Sequence, residues 1–246
     1  MVSTGNNPPK KSAKFGVSKA DLFIYAVVAL LALVLFFLLN PTIGRNLFWG
    51  KRVEDLPASQ AKTALLSLKV RDKEQAPEYR REVFGPSWED TDNNGCDTRN
   101  DVLRRDLTQV EFKKGRPRNC VVNRGVLEDP YTGKRIDFVR GPETSPVVQI
   151  DHVVALGDAW RAGAYQWGFA KRVEFANDPE NLLAVVGYAN EDKGRQRADE
   201  WLPPNSQYHC AYVARQIRVK AKWELSVTSA EKETMIAVLA KCPAVE

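Results

Sequence analysis

Histidine is scarce in this chain: His152 and His209 are the two among 246 residues. A site that needs three imidazole ligands is therefore excluded. No C-x-x-C pair occurs, and the adjacent His209 and Cys210 cannot both point comfortably at one ion, so zinc is a poor reading of the four cysteines. Net charge is also nearly missing from most of the chain. The formal total is +5, but the first fifty residues hold Lys10, Lys11, Lys14, Lys19 and Arg45 against Asp21. The other 196 residues carry 31 basic and 30 acidic groups, so whole-chain basicity is no argument for nucleic-acid binding. Only local clusters can make that case. Finally, charge, proline and glycine are all absent from Leu22 to Leu39.

That eighteen-residue run spans roughly 27 Å as a helix, close to the hydrocarbon thickness of a bilayer. A cleaved signal peptide is the rival reading, but its apolar region is shorter, and here Asn40-Pro41-Thr42 follows with no A-x-A cleavage pattern. The expectation is a single-pass signal-anchor over residues 22–39, contacting lipid. The lysines before it place the tail, residues 1–21, in the cytoplasm, and Arg45, Lys51 and Arg52 blunt that asymmetry without reversing it. The remainder faces outward, as a juxtamembrane segment over 40–90 and a domain over 91–246. Cys96, Cys120, Cys210 and Cys242 all lie on that oxidising side. Of three possible pairings, proximity favours Cys96–Cys120 and Cys210–Cys242, each loop worth roughly 3 kcal/mol in the chain-entropy account.

In the outward part, Leu56-Pro57 with Ala61, Leu65, Leu66 and Leu68 suggests a helix with proline in its first turn. Nothing else before residue 90 suggests catalysis. Asp90 to Arg105 reads as a polar turn entering a helix. Its D-x-D-N-N-G start resembles a calcium loop, but the twelfth place holds Asp101 and not the usual Glu, so a capped turn is preferred. Lys113, Lys114, Arg116, Arg118 and Arg124 form a basic hairpin arm or a solvated edge strand. Asp129-Pro130-Tyr131-Thr132-Gly133 is a turn, and Ile136 to Val139 alternates as a strand. Trp160, Tyr165 and Trp167 belong to a core. The segment His209 to Lys222, with Arg215, Arg218, Lys220 and Lys222 and no acid, reads equally as a stretch tracking a phosphate backbone or as a helix with a solvated basic face, and Thr228-x-x-Glu231 opens a last helix with a capping box.

The chemistry concentrates further on. Val147 to Val154 is a strand carrying Asp151 and His152, whose side chains leave opposite faces and flank one centre rather than share one atom. Asn181 to Val186 is a second strand. A helix is expected from Asn190 to Trp201, capped by Asn190 and presenting Asn190, Lys193 and Arg197 on one face.

This order, D-H, then N, then N-x-x-K, resembles the ββα-metal finger of HNH endonucleases, in the variant whose last H is Asn, as in CRISPR RNA-guided nucleases. The stretch from Cys96 to Cys242 also resembles bacterial exported HNH-like proteins related to the C-terminal nuclease domain of GmrSD restriction enzymes. The resemblance rests on DHVVAL (151–156), NLLAV (181–185), N-x-x-KG (190–194), CDTRND (96–101), DPYTG (129–133) and W-x-P-P (201–204). It implies an α+β fold, a mostly helical domain around that finger, and a bacterial source. It implies His152 as general base, Asp151 and Asn190 as ligands of Mg²⁺ or Mn²⁺, and Asn181 as a supporting residue near the base. Lys193 is the implied phosphate contact, with Arg195 and Arg197 as further substrate-binding residues. The resulting expectation is an outward-facing endonuclease acting on DNA, with RNA as the alternative and little sequence readout. Two other classes stand beside it. One is an inactive exported DNA-capture protein; the other is a disulfide-stapled envelope protein, which leaves the motif without a role.

Overall fold

The computed structural model describes residues 19–39, 52–71, 73, 75–115 and 120–243. Lys10, Lys11, Lys14, Arg45, Lys51, Arg116 and Arg118, named above for their charge, lie outside the described residues. The chain divides into two units, Met1–Gly50 and Lys51–Glu246.

In the first unit, helix α1 spans Lys19–Leu39. Its apolar side chains, Leu22, Phe23 and Leu38 among them, are exposed along its length. It is long and apolar enough to cross a membrane, and a signal sequence passes the same test.

The second unit is a mixed α/β domain with helices of ordinary length and two small sheets. Its boundary differs from the one expected near residue 90, because residues 52–90 supply part of the core. Leu56, Leu65 and Phe84 are buried there. Helix α2 (Gln60–Ser67) starts at Ser59, whose Oγ accepts from the Lys62 backbone N–H at 3.1 Å. Pro57 therefore precedes the helix and is not in its first turn. Helix α3 (Thr98–Asp106) is capped by Asp97, which accepts from the Asn100 N–H at 2.8 Å. The preceding acidic loop closes on itself, with the Asp90 carboxylate accepting from Asn94 and Gly95 N–H groups at 3.0 and 2.8 Å.

Strands β1 (Thr108–Phe112), β2 (Val122–Glu128) and β3 (Arg135–Val139) form an antiparallel meander. Strands β4 (Val148–His152) and β5 (Leu182–Val186) form a second antiparallel pair, with Asp151 opposite Leu183 and His152 opposite Leu182. Every residue of β5 is buried, because Leu182 and Ala184 pack with Leu103, Leu127 and Phe138 while Leu183 and Val185 face a different cluster. The excursion between β4 and β5 holds α4 (Leu156–Arg161) and α5 (Phe169–Ala176). Trp160, Tyr165 and Trp167 pack there around Phe84 and Phe175, as core residues.

Helix α6 (Gly187–Lys193) follows β5 without a loop. Gly187 permits this close passage, since a Cβ there would lie 2.4 Å from the Pro146 carbonyl oxygen. Helices α7 (His209–Lys222) and α8 (Ser229–Leu239) complete the domain. The cysteines pair as proximity suggests, Cys96 with Cys120 and Cys210 with Cys242. Thr228 caps α8 by accepting from the Glu231 N–H at 3.1 Å. The reciprocal half of the expected capping box is replaced, because the Glu231 carboxylate turns inward to Lys220, at 2.6 Å.

Candidate active site

The end of β4, the start of α4, the second half of α6 and the segment before α3 line an open cleft of ≈ 290 Å³. Tyr79, Arg81, Asp151, His152, Asn190 and Arg195 are among the residues lining it.

His152 sits on the last residue of β4. Its Nε2 is 2.8 Å from the carbonyl oxygen of Ala176, at the end of α5. A carbonyl only accepts, so Nε2 carries the hydrogen and Nδ1 is the nitrogen left with a lone pair. Burial lowers the imidazole pKa to about 3, helped by the positive charges of Arg81 and Lys193 and opposed by the Ala176 carbonyl. The ring is therefore neutral at physiological pH. Trp88 lies parallel to it, with ring centroids 6.1 Å apart and an 11° interplanar angle.

Asn181 is fully buried and clamps the backbone just after His152. Its Oδ1 accepts from the Val154 N–H at 2.8 Å and its Nδ2 donates to the Val154 carbonyl at 3.1 Å. The Asn181 carbonyl also accepts from the Val153 N–H at 2.7 Å. The residue thus acts on His152 through the chain, not by touching it.

Asp151 is buried with two partners. Lys193 Nζ lies 2.9 Å from its Oδ1, and the Tyr131 hydroxyl donates to its Oδ2. Burial raises the carboxyl pKa, while Lys193 and Tyr131 pull it back down. Tyr131 arrives through the turn after β2. The Asp129 carboxylate holds that turn against the β5–α6 junction, accepting from the Val186 N–H at 3.0 Å and the Thr132 N–H at 2.9 Å.

Three expectations about α6 are corrected. Asn190 is not a helix cap; α6 begins at Gly187 and places it a turn inside. There its Nδ2 donates to Gln149 Oε1 at 2.7 Å, which leaves Oδ1 as the amide's remaining acceptor. The helix does not reach Trp201 but ends at Gly194, whose φ of +51° favours glycine. Lys193 is thereby turned inward, fully buried, donating to Asp151 and to the His152 carbonyl at 2.8 Å, so it does not face a substrate phosphate.

The two arginines part company. Arg195 lines the cleft, its stem crossing Gly157, where a Cβ would lie 2.5 Å from Arg195 Cδ. Its guanidinium stands 5.8 Å from the Tyr79 ring centre. Arg197 is instead tied to Asp199 at 3.2 Å and Glu200 at 3.0 Å and lines a separate small cavity beside Asp158 and Glu231. Tyr79, Arg81 and Trp88 join the site from a segment whose sequence carries no motif. Tyr131 was visible only as part of a turn.

Asp151 and Asn190 are the residues in this cleft that offer oxygen to a hard cation. An ionised carboxylate accepts at about four lone-pair sites, so two bonds do not exhaust Asp151. Such a pair fits a cation that keeps several waters and takes the rest of its shell from substrate oxygens. Among the described residues no three His, Cys, Asp or Glu side chains converge on one point.

Comparison with known proteins places the chain by sequence. Residues 97–238 match the family model described as GmrSD restriction endonucleases, C-terminal domain. The chain is also 38% identical over 187 residues to a protein of the fungus Arthroderma benhamiae described as an uncharacterized secreted protein, covering 75% of this chain and 86% of that one. That relative is fungal, and the bacterial origin expected from the resemblance finds no support in it. No solved structure matches the chain.

Proposed function

The chain belongs to the family of GmrSD restriction endonuclease C-terminal domains, a nuclease family, and from that membership we propose a metal-dependent, HNH-type endonuclease that hydrolyses phosphodiester bonds of DNA. Sequence preference is slight, since no recognition module accompanies the cleft among the described residues, and RNA is the alternative substrate. The observation that carries the reading is a neutral His152, held through Nε2, sharing one cleft with Asp151, Asn190, Arg81 and Arg195.

His152 Nδ1 takes the proton from an attacking water as the oxygen bonds to phosphorus and the bond to the 3′ oxygen breaks. Arg81 and Arg195 hold the phosphate charge at the mouth of the cleft. Asp151 and Asn190 would hold Mg²⁺ or Mn²⁺, and such an ion would supply stabilisation of charge on the phosphoryl group. Lys193 and Tyr131 fix the Asp151 carboxylate, and Asn181 fixes the backbone that follows the base. A second reading, a capture protein that binds DNA without cutting, is favoured by one fact: Lys193 already neutralises Asp151. For location, two disulfides and an apolar α1 support a domain outside the cytoplasm, anchored in the bilayer by residues 22–39.

The test uses the full chain, purified oxidised in mild detergent and incubated with supercoiled plasmid or RNA. Cleavage that needs Mg²⁺ or Mn²⁺, stops with EDTA and is lost in His152→Ala supports the enzyme. Binding without cleavage by folded protein overturns it in favour of capture.

A further inference from the structure

Among the described residues the His152 ring makes one hydrogen bond, between Nε2 and the Ala176 carbonyl. A ring held at one atom still swings about its χ2 torsion, which moves Nδ1 off any fixed line of attack. A flat neighbour parallel to the ring narrows that freedom, and Trp88 stands offset beside it, centroids 6.1 Å apart at 11°. The indole is itself backed by the cluster that contains Ile150 and Leu182.

The backbone at Trp88 is unusual in a way that points to use. Its φ is +63°, a region that bulky residues occupy at a cost. Such a conformation persists where the surroundings over-determine it. The chain just after it is tied down: the Thr91 N–H donates to the Glu89 carbonyl at 3.0 Å, and Thr98 Oγ1 donates to the same carbonyl. Asp90 then closes the following turn on Asn94 and Gly95, and Cys96 is bonded to Cys120.

We propose that Trp88 is a positioning residue for the base: its indole walls the His152 imidazole and, with the Ala176 carbonyl, keeps Nδ1 toward the cleft. This rests on the nuclease reading for its purpose, but not for its geometry.

The variants are Trp88→Phe, which keeps a flat ring, and Trp88→Leu, which keeps apolar bulk without one; both are made in the full chain. Nitrogen-15 NMR of the imidazoles reads placement without reference to activity, and His209, bonded to the Pro203 carbonyl at 2.7 Å, is the internal reference. Wild type and Trp88→Phe are expected to show His152 as a single Nε2–H tautomer, and Trp88→Leu a mixture as the ring leaves Ala176. In plasmid cleavage, Trp88→Leu is expected to lose roughly 10- to 100-fold in kcat with KM unchanged, and Trp88→Phe to recover most of it. A single tautomer in all three proteins, or equal kcat for Phe and Leu variants, overturns the proposal. If wild type cleaves neither DNA nor RNA, the nuclease reading fails, and the tautomer result alone decides where Trp88 holds the ring.

Discussion

Lys193 Nζ and Asp151 Oδ1 lie 2.9 Å apart, the lysine side chain sealed from solvent and the aspartate 5% exposed. Tyr131 completes the carboxylate from the other side. Three separate parts of the chain thus converge on one buried charge at the floor of the cleft.

Removing one partner of such a pair is costly because the other is left as an unpaired buried charge. Lys193→Met is expected to destabilise by about 3–5 kcal/mol, and Asp151→Asn by a similar amount. The double variant recovers much of the loss, because an amide beside a thioether leaves no charge to neutralise. Urea midpoints of the four proteins decide this. Additive losses would show that the two groups do not depend on each other.

The Asn181 clamp predicts a different pattern. Asn181→Ala orphans the Val154 N–H and carbonyl together inside the domain, a loss of roughly 1–3 kcal/mol for each unsatisfied group. Because the clamp sits two residues after His152, cleavage is expected to fall beyond what the lost stability explains. Amide hydrogen exchange at Val154 should accelerate while amides of β2 stay protected.

Much of this site was legible because its signals are local. Asp151 and His152 end a readable strand, Asn181 opens another, and Cys210 and Cys242 bracket two helices. Lys193 was misplaced for a local reason too: one glycine at φ +51° stops α6, and no periodic pattern announces that stop. With the helix ended, Arg197 departs from the face it was expected to share and meets Asp199. Trp88, Arg81 and Tyr79 were not readable at all. They come from over sixty residues upstream of His152, Tyr79 by packing on Phe84 and Trp160 and Trp88 by packing on the cluster of Ile150 and Leu182, and such contacts leave no spacing in the sequence.

The two disulfides should separate stability from function. Cys210–Cys242 joins the first turn of α7 to the end of α8 across 32 residues, so Cys210→Ser/Cys242→Ser is expected to lose roughly 3 kcal/mol. Cys96–Cys120 instead pins the end of the Asp90–Gly95 turn, the segment that follows Trp88. Its removal should lower cleavage more than it lowers the melting temperature. Equal ratios of the two losses in both variants would contradict that division.

Glu231 makes one contribution to the pH dependence of the fold. It is buried against Lys220, at 2.6 Å, and Lys220 also meets Asp158 at 2.9 Å, so two carboxylates share one cation. Burial pushes the Glu231 pKa up to about 7, with Lys220 opposing and the Asp158 charge adding to the rise. A carboxyl whose folded pKa lies above its unfolded value of 4.5 takes up a proton on folding at intermediate pH. Its stabilising contribution is full below that unfolded value and is lost as pH rises through about 7. Lys220, whose own pKa is raised by Asp158 and Glu231 despite burial, stays charged throughout this window. This group by itself favours the fold at pH 5 over pH 8, while His152, its pKa lowered by burial from 6.5 to about 3, favours it at pH 8, so the melting temperature at pH 5 minus that at pH 8 carries both contributions. In Glu231→Gln the carboxyl is replaced by a neutral amide of the same shape, and that difference should fall. Scanning calorimetry of both proteins at the two pH values measures it, and an undiminished difference in the variant would place the origin elsewhere.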